Sequence, residues 1–229
     1  MIDIHNHILP GLDDGATDMD ESLAMAEIAS EDGIRDIIAT PHLMPGLSLE
    51  AIQRRVHKLN TALNDANIPV VVHPGAEIPV HMLEDNIPLV GLAGTRHLLV
   101  EFPPNDVPPF SRAMFAHLTG QGYTITIAHP ERNFRMIDNP ERLEKLLMPS
   151  VFLQITAGSL TGEMGRGARA CAVYLLKKGL VRYIASDAHS ARDRSPRLSA
   201  GLRIASRYIH KANARATVLD NPRIIVETT

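Results

Sequence analysis

Four short motifs in the chain each place a histidine or an acidic residue at the end of an apolar run. They are Ile4-His5-Asn6-His7, Thr40-Pro41-His42, Ala128-His129-Pro130-Glu131 and Ser186-Asp187-Ala188-His189. A single histidine after a strand is usually a capping or surface residue, but four such motifs in one chain indicate a metal-dependent enzyme. Imidazole and carboxylate donors without thiolate suit Mn, Fe or Zn better than a structural cysteine-rich zinc site.

The spacing within the first and last motifs strengthens this interpretation. His5 and His7 are two residues apart, as are Asp187 and His189. Because successive side chains of a strand alternate between its faces, each pair points to one side and can bind a single ion or two adjacent ions. An HxH motif at the first strand together with a DxH motif at the last is much more specific for metal binding than either motif alone.

Apolar, β-branched segments alternate along the chain with amphipathic helical patterns. Strands are predicted at residues 2–5, 34–40, 70–73, 97–102, 123–128, 151–156 and 181–186. Helices are predicted at residues 18–33, with Asp18 and Glu21 as a capping box, and at 48–67, 111–121, 139–147, 167–178 and 196–212. Seven strands separated by helices favour parallel βα units that close into an α/β barrel. The lack of a GxGxxG loop after the first strand disfavours a nucleotide-binding doubly wound sheet.

The residues that could bind metal or take part in catalysis lie at the C-terminal ends of the strands. This is where the active site of a parallel α/β barrel is located. The strand ends and the loops that follow them carry His5, His7, Asp13, Asp14, His42, Glu77, Glu101, His129, Asp187 and His189. The sixth strand ends near Thr156 and Gly158, which are weak ligands. The sequence therefore predicts that separate segments converge on one rim.

Length and composition predict one domain, residues 1–229, with a sizeable core, because 45% of the residues are hydrophobic. The 23 Lys and Arg residues against 26 Asp and Glu give a net charge of −3, so the chain has no basic field to hold a polynucleotide. The N-terminus lacks the features of a signal peptide, and no apolar run approaches the roughly 20 residues that cross a bilayer. We therefore expect a cytoplasmic protein that binds no nucleic acid and does not insert into a membrane.

Together these residues resemble the PHP (polymerase and histidinol phosphatase) family, most closely its bacterial manganese-dependent protein-tyrosine phosphatases of capsule and exopolysaccharide loci. The resemblance extends from Met1 to about Pro222 and includes Asp13-Asp14-Gly15, Gly75-Ala76-Glu77 and Ala128-His129-Pro130-Glu131-Arg132. It implies a distorted (β/α)7 TIM-like barrel that holds three divalent metal ions, with Mn as the first choice and Fe or Zn as alternatives.

The resemblance also implies roles for individual residues. Arg132 and Arg194 match the family's phosphate-contacting arginines, and Asp13 is an alternative to its neighbour Asp14 as a ligand. The implied metal ligands are His5, His7, Asp14, His42, Glu77, Glu101, His129, Asp187 and His189. The other histidines, which are predicted not to bind metal, are His57, His73, His81, His97, His117 and His210.

Clustered cations would lower the pKa of a bound water and supply hydroxide for in-line attack, while the two arginines would form bidentate hydrogen bonds to phosphoryl oxygens. The resemblance implies hydrolysis of phosphotyrosine in a protein, with a bacterial tyrosine autokinase that regulates polysaccharide synthesis as the partner. One alternative is a small-molecule phosphatase, with histidinol phosphate as the first candidate. Another is a non-catalytic, metal-stabilised PHP module.

A thiolate-dependent tyrosine phosphatase is disfavoured by the single cysteine. That mechanism needs a loop cysteine followed six residues later by an arginine, but Cys171 lies in a helical pattern and residue 177 is lysine. Ala168, Ala172 and Leu175 follow the same helical pattern of packing positions. Cys171 is therefore predicted to be an inert part of the core.

Overall fold

Strands alternate with helices through most of the chain, as the sequence pattern predicts. The computed structural model describes residues 1–85 and 88–227. The strands are β1 (Ile2–Asn6), β2 (Asp36–Ala39), β3 (Val71–Pro74), β4 (Glu77–Pro79), β5 (His97–Glu101), β6 (Thr124–Ile127), β7 (Val151–Thr156) and β8 (Val181–Ala185). The helices are α1 (Met19–Glu31), α2 (Leu49–Asp65), α3 (Ser111–Gly120), α4 (Phe134–Asp138), α5 (Ala157–Thr161), α6 (Gly165–Lys177), α7 (Ser199–Ala205), α8 (Lys211–Ala216) and α9 (Asp220–Val226). Shorter 3₁₀ helices are Val80–Glu84, Leu92–Gly94, Pro130–Arg132 and Pro140–Lys145.

The strands form two parallel sheets that follow chain order. β1, β2 and β3 form one sheet, and β4 to β8 form the other. Isolated parallel bridges join the sheets, between Asn6 and Ala188 at one seam and between His42 and Glu77 at the other. The strands therefore close into a distorted α/β barrel, which confirms the predicted fold class.

The third strand of the barrel is broken into β3 and β4, and Gly75 lies at the break. Its backbone passes so close to β2 that an added Cβ would be 2.8 Å from Cγ2 of Ile38. After the break, Glu77 pairs with Leu99 of β5. The sequence pattern predicts that the strand ends before Glu77, because Pro74 and Gly75 resemble a strand end. In the structure Glu77 belongs to the sheet instead of a loop.

Side chains alternate between an outer core, which includes residues of the surrounding helices, and an inner core inside the barrel. In β5, Leu98 and Val100 belong to the outer cluster and Leu99 belongs to the inner cluster. Glu101 continues the inner series, so the period of two directs its carboxylate inward at the C-terminal end of the strand. Ile225 of α9 joins the inner cluster and covers the barrel from the other end.

Capping residues begin the first two helices where the sequence predicts. The side chain of Asp18 accepts a hydrogen bond from the Glu21 N–H at the start of α1, and Ser48 accepts one from the Ala51 N–H at the start of α2. The Glu21 carboxylate accepts from the Ala191 N–H instead of completing a capping box. This contact ties α1 to the loop that follows β8.

Two predicted helices are wrong in extent. Residues 139–147 contain the 3₁₀ helix Pro140–Lys145, and residues 196–212 contain α7, a turn and the start of α8. At this turn the Ser206 hydroxyl donates to the Leu202 carbonyl, and the His210 side chain accepts from the Ala212 N–H to cap α8. Such side-chain hydrogen bonds compete with the helical backbone pattern. No helix in the described ranges has both the length and the hydropathy of a membrane span.

Candidate metal centre

All nine predicted ligands meet at the C-terminal rim of the barrel. Their donor atoms form overlapping sets whose members lie within 4.8 Å of one another. These sets are His7 with Asp14, His42 and His189; His5 with His7 and Asp187; His5 with Glu77 and His129; and His42 with Glu77 and Glu101. The convergence that the strand ends predict is therefore present in the structure.

The end of β1 is irregular, and the irregularity aims His5 at the cluster. Ile4 packs in the inner core, so a regular strand would turn His5 outward. The register with β2 shifts between Asp3 and Asn6, as in a β-bulge. His5 and His7 consequently face the same interior, with their Nε2 atoms 3.3 Å apart.

Asp3 supports this strand end from the side of β8. Its Oδ1 accepts the Ser186 N–H at 2.9 Å, and its Oδ2 accepts the Ser186 hydroxyl at 2.5 Å and the Asn6 amide at 3.0 Å. Burial is the main cause that raises the pKa of Asp3. Asp3 is not among the residues predicted from the sequence, but an acidic residue within an apolar strand is a signal of such a role.

Gln154 of β7 fixes the orientation of His5. Its Oε1 lies 2.9 Å from Nδ1 of His5, which assigns the proton to Nδ1 and leaves the Nε2 lone pair for an ion. Gln154 is fully buried, and its Nε2 has no hydrogen-bond partner within the described part of the chain. Gln154 is not among the residues predicted from the sequence, because a neutral amide is not a usual metal ligand. Gln154 lies two residues from both Phe152 and Thr156, so the three side chains share one face of β7. This spacing could have indicated that Gln154 faces the inside of the barrel.

Asp13 orients His7, whereas Asp14 faces the cluster. Oδ2 of Asp13 lies 2.7 Å from Nδ1 of His7 and accepts the His42 N–H at 3.0 Å. Oδ1 of Asp14 lies 3.5 Å from Nε2 of His42 and 3.3 Å from Nε2 of His189. The geometry thus favours Asp14 over Asp13 as the ligand from this loop.

Glu77 lies in the middle of the cluster. Its Oε2 is 3.3 Å from Nε2 of His5, 3.5 Å from Nε2 of His7 and 3.1 Å from Nδ1 of His42. Its Oε1 is 2.9 Å from Nε2 of His129. Burial opposes ionisation, but the neighbouring imidazoles, His5 first, hold the pKa of Glu77 well below its usual range. An ionised carboxylate whose two oxygens face different imidazoles is suited to bridge two ions.

Glu101 completes the cluster on the side of β5. Its oxygens lie 3.9 Å from Nδ1 of His42 and 3.8 Å from Nε2 of His129. Burial, followed by repulsion from the Glu77 carboxylate, raises the pKa of Glu101. A cation between the two carboxylates would offset this repulsion.

Asp187 divides its two oxygens between the cluster and the predicted arginines. Oδ1 lies 3.4 Å from Nε2 of His5 and 3.6 Å from Nε2 of His7. Oδ2 accepts hydrogen bonds from Nη1 of Arg132 and, at 2.6 Å, from Nη2 of Arg194. Burial opposes ionisation, but the surrounding imidazoles and the Arg194 guanidinium hold the pKa of Asp187 below its usual range. Both arginines therefore lie directly beside the donor cluster.

The backbone at His129 is held in an uncommon conformation. Its φ is 28°, and Asp187 also has a positive φ, of 53°. Such angles are unfavourable for residues other than glycine and often occur at functional sites.

The turn after His129 is anchored by Oε1 of buried Glu131, which accepts the Thr156 N–H at 2.9 Å and the Ser159 hydroxyl at 2.7 Å. Thr156 therefore supports the rim without belonging to a donor set.

The donor set fits divalent metal ions. Two donor atoms that bind one ion at about 2.1 Å in tetrahedral or octahedral geometry lie about 3.0–3.4 Å apart. The distance between Nε2 of His5 and Oε2 of Glu77 is 3.3 Å, which falls in this range. Mixed imidazole and carboxylate donors suit Mn, Fe or Zn. Cys171 and the other six histidines belong to none of these donor sets in the described part of the chain. Those histidines are His57, His73, His81, His97, His117 and His210.

A parallel α/β barrel with imidazole and carboxylate donors on its C-terminal rim defines a class of metal-binding barrel. Solved structures with a similar fold include an amidohydrolase from Mycoplasma synoviae, with a TM-score of 0.61 and 15% identity over 99% of this chain and 87% of that chain. Another is the phosphotriesterase homology protein from Escherichia coli, with a TM-score of 0.57 and 12% identity over 98% of each chain. At these identities the likeness concerns the fold alone.

Within this class, the chain belongs to the capsular polysaccharide synthesis family CpsB/CapC, whose profile matches residues 1–227. It is 40% identical to the tyrosine-protein phosphatase YwqE of Bacillus subtilis (strain 168) over 202 residues, which are 85% of this chain and 80% of YwqE. A solved structure described as YwqE from Bacillus subtilis and CpsB from Streptococcus pneumoniae, unique metal-dependent tyrosine phosphatases, matches with a TM-score of 0.91 and 35% identity. The match covers 100% of this chain and 95% of that chain. The family resemblance carried by the motifs is thereby confirmed.

Proposed function

We propose that this chain is a metal-dependent tyrosine-protein phosphatase. The observation that carries the proposal is one rim on which metal-donor side chains surround Asp187, whose second oxygen is held by two arginines. Family members named tyrosine-protein phosphatases support this reaction. The arrangement combines a site for cations with groups that bind the anionic phosphate.

We propose three divalent ions at this rim, with Mn as the first choice and Fe or Zn as alternatives. The overlapping donor sets are more than one ion needs, and Glu77 belongs to two of them. When bound, the ions would supply an activated water nucleophile near neutral pH and neutralise charge on the phosphoryl group. The proposed ligands are His5, His7, Asp14, His42, Glu77, Glu101, His129, Asp187 and His189.

The proposed role of Arg132 and Arg194 is to bind and orient the phosphate. Their side chains are 31% and 29% exposed, although each donates to Asp187. Their remaining N–H groups are available to donate to phosphoryl oxygens. The leaving phenolate has a conjugate acid with a pKa of about 10, so the reaction depends only weakly on a general acid.

The physiological substrate in this proposal is a bacterial tyrosine autokinase that regulates polysaccharide synthesis, dephosphorylated in the cytoplasm. The family description, capsular polysaccharide synthesis, supports this assignment. Residues 1–229 act as one domain in the proposal, since one outer core cluster joins side chains from Ile8 to Val218.

A substrate panel with defined metals tests the proposal. After chelation, Mn should restore hydrolysis of a phosphotyrosyl peptide better than Mg does, because imidazole ligands favour transition metals. Phosphotyrosyl peptides should exceed histidinol phosphate and phosphoseryl peptides in kcat/KM. A clear preference for histidinol phosphate would replace the proposal with a metabolic phosphatase. If Mn-loaded protein hydrolysed none of these compounds, the non-catalytic alternative would hold.

Anomalous scattering from crystals of protein purified without chelator tests the number and identity of the ions. Three peaks at the rim with the absorption edge of Mn are expected. One peak or none at full occupancy would contradict the trinuclear centre.

A further inference from the structure

A cleft beside the candidate metal centre has an apolar wall that the proposed chemistry does not use. We call it the side cleft, and its volume is about 230 Å³. One part of its lining, formed by Glu101, His129 and Arg132, belongs to the centre or adjoins it. The apolar part is formed by Phe102, Pro104, Pro130 and Phe134.

Phe134 is the exposed aromatic side chain of the side cleft. It is the first residue of α4, and 60% of its surface is accessible to solvent. Isolated exposed apolar residues are common on proteins, but Phe134 is distinguished by its position two residues after Arg132 on the same cleft. The exposed residues Met44 and Val71 do not line the cleft.

The backbone that carries this wall is fixed by hydrogen bonds. The Asn133 side-chain amide donates to the carbonyl oxygens of Pro103 at 2.7 Å and Asp106 at 2.8 Å. The Phe134 N–H donates to the carbonyl oxygen of Pro104 at 2.9 Å. Phe134 and Pro104 therefore form a preformed surface, and a ligand would bind to it without ordering a loop.

A cation and an exposed aromatic ring on one cleft match the two parts of an aryl phosphate. Arg132 offers hydrogen-bond donors to a phosphate dianion, and the ring of Phe134 offers a face or edge to a second ring. An apolar cavity of about 150 Å³ is large enough for benzene, so the side cleft accommodates one phenol ring. An alkyl phosphate would leave the apolar wall without a partner.

We propose that Phe134, together with Pro104, binds the phenol ring of phosphotyrosine and thereby selects aryl over alkyl phosphates. The inference rests on the proposed phosphatase function and assigns its substrate specificity to a named surface. Stacking would act equally on the bound substrate and on the transition state. Loss of the ring should therefore raise KM and leave kcat nearly unchanged.

Paired inhibitors test this inference on Mn-loaded protein. Phe134→Ala should weaken the binding of phenylphosphonate roughly three- to tenfold, as expected for a lost aromatic contact, and leave methylphosphonate binding unchanged. Phe134→Tyr, which keeps a ring, should retain the wild-type values. Val71→Ala removes apolar surface at an exposed position of β3 and serves as the control. Calorimetry gives these constants without turnover.

The outcomes separate this inference from the proposed function. If wild-type protein hydrolyses phosphotyrosyl peptides but Phe134→Ala binds both phosphonates like the wild type, or weakens both equally, the ring subsite is wrong and the phosphatase function stands. If no phosphate ester is hydrolysed, the phosphatase function is wrong, and the phosphonate pair still reports whether Phe134 contacts a ring. A rise in the KM of Phe134→Ala for a phosphotyrosyl peptide, with kcat within about twofold, would support the inference.

Discussion

At the scale of single residues, the candidate centre depends on side chains that are not among its proposed ligands. Gln154 accepts from Nδ1 of His5, and Asp13 lies against Nδ1 of His7. Each contact leaves the Nε2 atom of the histidine directed into the cluster. Such partners fix the tautomer and the ring orientation of a ligand, so Gln154 and Asp13 orient these two histidines as donors.

Substitution of a ligand should separate the metal mechanism from a thiolate mechanism. His5→Ala and Asp187→Ala should abolish hydrolysis of a phosphotyrosyl peptide, because each removes a donor from the cluster. Cys171→Ser should be nearly neutral, since burial raises the pKa of this thiol to about 12 and keeps it protonated. Activity is measured with Mn present and folding by circular dichroism. Loss of activity in a well-folded Cys171→Ser variant would overturn the metal mechanism.

Removal of either arginine should affect chemistry more than metal content. Arg132→Ala and Arg194→Ala are each expected to reduce turnover roughly 10²–10³-fold, as for loss of a transition-state donor. The Mn content measured by mass spectrometry should be unchanged. Arg192→Ala is a matched control, because Arg192 is exposed in the same loop as Arg194. Wild-type turnover in both alanine variants would show that these arginines are solvated surface residues with no role in phosphate binding.

At the scale of elements, the barrel is closed by contacts that also build the rim. The bridges at Asn6 and His42 join the two sheets next to candidate ligands. Asp3 strengthens the first seam, since its carboxylate holds β1 against Ser186. The stability of this seam and the position of His5 therefore depend on the same side chain.

Replacement of Asp3 should weaken both the fold and metal binding. Asp3→Ala leaves the buried Ser186 N–H without its acceptor and leaves the Ser186 hydroxyl only the His5 carbonyl oxygen at 3.4 Å. It should lower the free energy of unfolding by roughly 2–4 kcal/mol. Urea unfolding of metal-free protein measures this change, and titration with Mn should show weaker binding. Asp65→Ala, at an exposed position, is the control. An Asp3→Ala variant as stable as the control would show that the seam does not depend on Asp3.

Much of this architecture follows from local patterns in the sequence. The apolar run Leu98-Leu99-Val100 predicts a strand, and parallel closure then places Glu101 on the rim. The strand at Glu77 is not evident in the sequence, because β4 has only three residues and the preceding Pro74-Gly75 resembles a terminus. The support from Gln154 likewise depends on which side chains meet across the barrel, which the chain order does not specify.

At the scale of the whole molecule, a buried histidine away from the rim makes stability depend on pH. Nε2 of His97 lies 2.7 Å from Oγ1 of Thr126. Burial, and then the positive charge of Arg182, lower the pKa of His97 to about 4. The unfolded chain, with a histidine pKa of about 6.5, binds more protons between these values. The free energy of unfolding should therefore rise with pH between about 4 and 6.5 and fall as the solution is acidified.

The His97→Gln variant isolates this effect. Its pH dependence should be shallower than that of the wild type by up to about 1.4 kcal/mol per pH unit within that range, which corresponds to one proton. Urea unfolding at several pH values gives both slopes, and the difference between them removes the contribution of the rim histidines. Equal slopes would mean that His97 binds the same number of protons in the folded and unfolded protein and that burial does not lower its pKa.

The bridge between Asn6 and Ala188 joins segments that leave the ribosome far apart in time. Asp3 and Ser186, which flank it, are 183 residues apart, and synthesis at about 5–20 residues per second separates them by roughly 10–40 s. During that interval His5 and His7 have left the ribosome without Asp187 and the ring of strands lacks its last member. A nascent chain therefore carries no assembled centre, and the hydrolysis that we propose begins only after synthesis has passed the end of β8.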